Sequence, residues 1–426
     1  MLDSPESSLS SQSEDWASAK ASYRFFDNKK TNFVDIAGPH WDNTRRACRG
    51  KRCLLISDTT EISYTRHPAT EGLGMIGNRK GKGVQLHSCL AYDVDSEEIV
   101  GVAGARVNYR VRVPKNETRT QRAARWKESD VWGSIVDRVG VPDERTQYIH
   151  VFDRAGDNFE AVYRAHQKEC DWVVRSQHLN RRVRMASGKI VSLKEAIEEA
   201  NELGSYVLHL RHRPHSKSRE ALLKVYSISV DFLAPKLQSP WLKERQIESI
   251  QQNIVIVEEQ NPPKGAQPVY WVLQTSLPAQ QFDDAWNVID YYEKRWLIEE
   301  YHKALKTGCQ VEAYALRTAE RLESAIGMTS VIAVRLLSLK LIGRNKTKTL
   351  AKGKVPRSWL RMIVAHNQKL NQSELTVYEF FRELAKLGGF NARKSDGEPG
   401  WQTVWKGLQR LTWMINGIRK ERKRYG

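Results

Sequence analysis

Tyr291-Tyr292-Glu293-Lys294-Arg295-Trp296-Leu297-Ile298-Glu299-Glu300-Tyr301-His302-Lys303-Ala304-Leu305-Lys306 is the stretch whose reading decides this chain. Taken as one helix at roughly 100° per residue, it brings Tyr292, Arg295, Glu299 and Lys306 within an arc of about 60°. Trp286, Ile289, Trp296 and Leu297 form an apolar stripe beside that arc. A carboxylate flanked by a phenol, a guanidinium and an ammonium suits a divalent metal ion and phosphates. A solvated helix face laced with i,i+3 and i,i+4 ion pairs has the same pattern, so residues elsewhere must decide.

Composition narrows the choice. A chain of 426 residues exceeds what one core organises, and two or three domains are expected. Lys and Arg number 68 against 50 Asp and Glu, giving +18 and a pI near 9.6. Such a surplus points to a polyanionic partner, above all nucleic acid. It argues against a two-carboxylate glycoside hydrolase, which would also favour strand-end acids and many tryptophans. Cys48, Cys53, Cys89, Cys170 and Cys309 are scattered, odd in number and form no CxxC pair. A zinc site and a disulfide framework are therefore not expected, and a reducing compartment fits. No basic-then-apolar signal opens the chain, and the long apolar stretch 325–343 is interrupted by Arg335 and Lys340. It reads as a buried helix, so no membrane association is expected and the cytoplasm is the expected location.

Along the chain, residues 1–15 are Ser-rich and acidic and are expected to be disordered. A short helix is expected over 16–26. Arg45, Arg46, Arg49, Lys51 and Arg52 precede an apolar strand at 53–57, which runs into Asp58-Thr59-Thr60. Paired strands are expected at 85–93 and 98–107. Residues 106–127 carry eight cations against the single acid Glu117, a balance that favours phosphate contacts. A helix follows over 127–139, then a strand over 148–152 ending at Asp153. Asp157-Asn158-Phe159-Glu160 reads as a capping box for the next helix, and 171–176 as a further strand. Alternating segments at 206–213, 222–230, 253–258 and 269–274 make 180–275 a β-rich insertion. Helices are expected over 283–307, 317–343 and 357–368. A tail helix spaces Trp401, Trp405, Leu408, Leu411, Ile415 and Ile418 on one stripe and ends in a run of Arg and Lys. The stripe suits either a contact between two copies or packing on its own domain.

Asp58 and Asp153 each follow an apolar strand, the edge of an α/β sheet where sites assemble. An Asp in that place is ordinarily an N-cap or turn residue. With Asp157 assigned as the cap, Asp153 is left available, and Glu299 supplies a third acid. Three hard oxygen donors among basic neighbours suit two Mg²⁺ ions bridged by a phosphodiester. Nearby cations would offset the negative charge that builds on a pentacovalent phosphate.

At these residues the chain resembles the DDE transposases of the IS-four insertion-sequence family, nearest to the Tn-five type. The family signature is Tyr, two residues, Arg, three residues, Glu, six residues, Lys; Tyr292, Arg295, Glu299 and Lys306 meet every spacing. The wording around it also matches, as in Ile298-Glu299-Glu300, His302-Lys303-Ala304 and Lys306-Thr307-Gly308. Asp58 stands in the family's Asp-Thr-Thr motif and Asp153-Arg154 in its strand-then-Asp-Arg motif. Tyr23-Arg24-Phe25, Val173-Val174-Arg175-Ser176, Asn261-Pro262-Pro263-Lys264-Gly265 and Gly388-Gly389-Phe390 are alike too, so the likeness runs over 16–426.

The resemblance implies an α/β fold with an RNase H-like catalytic core, an inserted β-rich subdomain and a helical C-terminal region. The implied domains are a DNA-binding remnant at 1–45, the catalytic domain at 46–343 with its insertion at 180–275, and a dimerisation region at 344–426. It implies cut-and-paste transposition of double-stranded DNA by nicking, hairpin formation, hairpin resolution and strand transfer. Asp58, Asp153 and Glu299 would hold two Mg²⁺ or Mn²⁺ ions. Trp271 would hold a flipped base, while Tyr292, Arg295 and Lys306 would grip phosphates around it. Arg24, Arg175, His302 and Lys303 are further implied DNA contacts. A homodimer in a synaptic complex is the implied assembly, in a bacterial cytoplasm. Family members begin with a longer end-reading domain, so a truncated chain that inhibits full-length partners is the alternative expectation.

Overall fold

A computed structural model describes residues 16–426 except 29, 79, 111, 211–217, 394 and 426; the side chains of 18, 419, 420 and 422–425 are also outside it. The readings of residues 1–15, of 211–213 and of most of the terminal basic run thus lie outside the described residues. Twelve strands are described: β1 (Arg52–Ser63), β2 (Gly74–Ile76), β3 (Gly81–Asp93), β4 (Glu98–Asn108), β5 (Gln147–Phe152), β6 (Asp171–Arg175), β7 (Arg182–Arg184), β8 (Ile190–Ser192), β9 (Asn201–Leu210), β10 (Arg219–Leu233), β11 (Ser249–Glu259) and β12 (Tyr270–Thr275). The chain divides into two units. One holds 1–47, 59–111 and 298–426, the other 48–58 and 112–297.

In the second unit, strands follow the order β1-β5-β6-β12-β11-β10-β7-β8, with β9 beside β10. The first three are parallel. Cys53 to Ile56, Ile149 to Phe152 and Trp172 to Val174 are buried without alternation, as strands covered on both faces require. From β12 onward pairing is antiparallel. In β10, buried Ala221, Leu223 and Val225 alternate with more exposed neighbours, the period-two pattern of a sheet with one solvated face. The β-rich reading of 180–275 therefore holds, and its last strand pairs directly with β6.

In the first unit, β3 and β4 form an antiparallel pair covered by the helices Phe33–Ala47 and Ala319–Asn345. The latter is long and apolar enough to cross a membrane by composition, yet 72% of its apolar window is buried inside the protein, as expected of a core helix. Helices Arg357–His366, Val377–Leu387 and Trp401–Tyr425 complete this unit. Trp401, Trp405, Leu408, Leu411 and Ile415 are buried within it. The tail stripe thus packs on its own unit, and only Ile418, with Trp413 on another face, stays exposed. Helix Trp401–Tyr425 approaches Val377–Leu387 at two glycines. A Cβ on Gly388 would stand 1.7 Å from the Thr403 carbonyl oxygen, and one on Gly407 1.8 Å from that of Leu384.

Several local expectations change. The strand at 53–57 runs on to Ser63, so Asp58 lies within β1 and not after it. The helix at 127–139 starts at Asp130 and is preceded by a separate helix, Arg119–Ala124. The single helix at 283–307 is three segments: Phe282–Glu293, Trp296–Lys303 and a π-helical turn, Ala304–Gly308. At the first break Arg295 N donates to Tyr292 O at 3.0 Å and Leu297 N to Lys294 O at 2.9 Å, tighter i→i+3 bonds. No Gly or Pro lies between 282 and 307 to signal these breaks. The angular count from Tyr292 to Lys306 consequently does not apply.

Two predictions follow from this packing. Gly407→Ala should cost about 3 kcal/mol or more in a denaturant melt, because rigid backbone meets the added methyl. Glu98 accepts from Lys346 Nζ at 2.9 Å and Lys354 Nζ at 3.3 Å. Burial would raise its carboxyl, but the two ammonium groups outweigh that and hold it below the usual carboxylate range. The contribution is therefore present at neutral pH and is lost as pH falls through the lowered value. The stability gap between the wild type and Glu98→Gln should be on the order of 1 kcal/mol at pH 7 and shrink below pH 4.

Candidate active site

Parallel register between β1 and β5 aligns the segments that carry Asp58 and Asp153. Parallel β1 and β5 pair Ile56 with Val151. Asp58 lies two residues beyond Ile56 within β1, and Asp153 two residues beyond Val151, directly after the end of β5. Both side chains are partly exposed. Arg295, at the break after helix Phe282–Glu293, sets its Nη1 3.7 Å from Asp58 Oδ2, with both side chains about one-fifth exposed. A cation beside paired acids lowers the repulsion that two like charges at one sheet edge would suffer.

Asp153 also acts as a cap: its Oδ1 accepts from Ala155 N at 2.8 Å and starts the short 3-10 turn Arg154–Gly156. This corrects the assignment of Asp157 as the cap. Asn158 caps helix Phe159–Gln167, and Asp157 is a buried hub instead. Its Oδ2 accepts from Gln177 N at 2.7 Å and His178 N at 3.0 Å, and its Oδ1 meets Gln274 Nε2 at 2.7 Å and Arg181 Nη2 at 2.8 Å. The capping reading failed because these partners lie far along the chain.

In the same unit the Trp271 and Tyr292 rings meet edge to face, with centroids 5.6 Å apart at 65°. Tyr292 is 6% exposed and Trp271 half-buried, so Tyr292 supports the indole and offers little surface of its own to a phosphate. Arg175 on β6 donates from Nη2 to the Tyr270 carbonyl at 3.0 Å, next to Trp271. The structure thus sets Arg295 beside Asp58 and joins Trp271 to Tyr292.

Glu299, His302, Lys303, Lys306 and Arg24 belong to the other unit. Lys306 Nζ donates to the Glu61 carbonyl at 2.9 Å and lies 3.6 Å from Glu312. His302 is 6% exposed, and burial, with Lys306 adding to it, pushes its ring down to about 3, so it is neutral. A ring this buried offers little surface to a phosphate. Lys303 and Arg24 are exposed, Lys303 near Glu300 at 3.8 Å. Among the described residues no group of three or more His, Cys, Asp or Glu side chains stands close enough to hold a metal ion. Asp58 and Asp153 fit two of the oxygen ligands that a hard divalent ion takes.

Residues 331–425 match the family model described as the Tn5 transposase dimerisation domain, and residues 1–31 match the one described as transposase DNA-binding. Among solved structures, a piggyBac transposase synaptic complex with hairpin DNA is similar at 10% identity and a TM-score of 0.32 over 82% of this chain. The chain covers 64% of the length of that protein, and a likeness this distant carries no argument.

Asp157→Ala should cost about 3–5 kcal/mol in a urea melt, because it strands the Arg181 guanidinium beside a buried vacancy. A cost below about 1 kcal/mol would remove the hub role.

Proposed function

We propose that the chain is a metal-dependent DDE transposase of the IS-four type, carrying out cut-and-paste DNA transposition on an RNase H-like core. The observation that carries this reading is the β1–β5 register, which aligns the segments of Asp58 and Asp153, with Arg295 Nη1 3.7 Å from Asp58. The two family matches, one for DNA binding and one for dimerisation, support it from either end of the chain. The +18 charge supplies the attraction for a phosphate backbone.

In this reading Asp58, Asp153 and Glu299 would hold two Mg²⁺ or Mn²⁺ ions. When bound, the ions supply an activated hydroxyl nucleophile and stabilise the leaving oxygen. Arg295, 3.7 Å from Asp58, offsets charge on the phosphate. Water nicks one strand, the freed 3′-hydroxyl attacks the opposite strand to close a hairpin, and hairpin hydrolysis precedes strand transfer into target DNA. Trp271, braced by Tyr292, offers an aromatic face to a base extruded near the cut. Lys303, Arg24 and Arg175 are cationic or donor groups available to DNA, and Lys306 holds the Glu61 backbone. Two copies act together, joined through the C-terminal region.

With Mg²⁺ or Mn²⁺ and DNA assembled in a paired complex, the purified protein should nick and hairpin its substrate. Asp58→Asn, Asp153→Asn and Glu299→Gln should each lower the single-turnover rate at least about a hundredfold while thermal melts stay unchanged. Wild-type cleavage by Glu299→Gln would end this reading. Trp271→Ala should slow hairpin formation roughly tenfold more than nicking, the scale of one lost base stack.

A further inference from the structure

The residue after Glu299 is held by an unusual number of partners. Glu300 Oε2 accepts from Lys340 Nζ at 3.0 Å and from the Trp401 indole Nε1–H at 3.0 Å. Lys303 Nζ stands 3.8 Å from Glu300 Oε1, one turn on. Lys340 Nζ also lies 4.2 Å from the Trp401 ring centroid, over its face, so ammonium, indole and carboxylate form a closed triangle. Lys340 is 16% exposed, Glu300 23% and Trp401 3%. A pair this far from water is a stiff tie, since breaking it leaves a charge poorly solvated.

Three helices meet at this carboxylate. Glu300 lies on Trp296–Lys303, Lys340 on Ala319–Asn345 and Trp401 at the first turn of Trp401–Tyr425. Lys340 and Trp401 both fall within the segment that matches the dimerisation family model, whereas Glu300 lies outside it. Adjacent helical residues point about 100° apart, so Glu299 and Glu300 leave the same turn in different directions. Fixing the Glu300 side chain therefore fixes the rotation and height of the turn that carries Glu299.

We propose that Glu300 is a positioning residue, through which the C-terminal dimerisation segment sets the placement of the Glu299 carboxylate. The functional part of this inference rests on Glu299 acting in DNA cleavage as proposed above; the mechanical part does not. A displacement of about 1 Å in a catalytic group costs on the order of a hundredfold in rate, so a tie at the neighbouring residue has leverage over the chemistry. The coupling is reciprocal: ordering of the C-terminal helices by a second copy stabilises the Glu299 turn, and ligation of Glu299 favours the associating form.

The test uses the full chain with Lys340→Met, which keeps the apolar stem, and Trp401→Phe, which keeps the ring and deletes the N–H donor. Hydrogen exchange of the backbone amides of 298–303 should speed by about tenfold or more in both, without a matching change in β5 or β6. Unchanged exchange in both variants would overturn the tie, whether or not the protein cleaves DNA. In single-turnover cleavage, both should raise the Mg²⁺ concentration needed for half-maximal rate and lower the rate about tenfold to a hundredfold, with self-association retained in sedimentation. Wild-type metal dependence and rate alongside faster exchange would overturn the positioning role and leave Glu300 a structural residue only. Absence of cleavage by the wild type would count against the transposase reading, while the exchange arm still decides the tie.

Discussion

Parallel pairing of β1 with β5 is the constraint on which the rest depends. Ile56 opposite Val151 fixes where Asp58 and Asp153 emerge, and a slip of one residue would turn one carboxylate to the other face. The register is held by fully buried side chains on both strands, Leu54, Leu55 and Ile56 against Ile149, Val151 and Phe152. Hydrophobic burial therefore supplies the free energy that brings two like charges to one sheet edge. Arg295 and the Ala155 amide then meet those charges individually. Neither interaction could assemble the pair without the strands beneath it.

Around that pair the second unit is built for rigidity. Asp157, almost wholly buried, ties the segment after β5 to the segment after β6, to Arg181 and to β12 through Gln274. Trp271 follows on β12, three residues before Gln274, and its ring leans on Tyr292. A single buried carboxylate thus links the loop that carries Asp153 to the strand that presents the indole. In the first unit Glu300 has a comparable place among three helices. In both units an acid close in sequence to a proposed catalytic acid does structural work.

Much of this was legible in the residues themselves. Apolar runs at 53–57 and 148–152 located β1 and β5, and alternation located β9 to β12, because burial on two faces or on one leaves a direct imprint on sequence. Asp58, Asp153 and Arg295 are legible as candidates from their motifs, and Arg295 does stand beside Asp58. What was not legible depends on distant partners. The breaks at 294–295 and 304–308 carry no Gly or Pro, so local pattern favoured an unbroken helix. Asp157 looked like a cap because its partners at 177, 178, 181 and 274 lie far along the chain. The burial of His302 likewise comes from packing that spacing alone does not reveal.

All of the proposed chemistry requires that Asp58 and Asp153 share a divalent cation. Anomalous diffraction from crystals of the protein soaked in Mn²⁺ addresses it directly. The account predicts a manganese peak between the two carboxylates, each contributing an oxygen at coordination distance. Clear density for both side chains with manganese absent from between them, or bound only elsewhere on the chain, would contradict it.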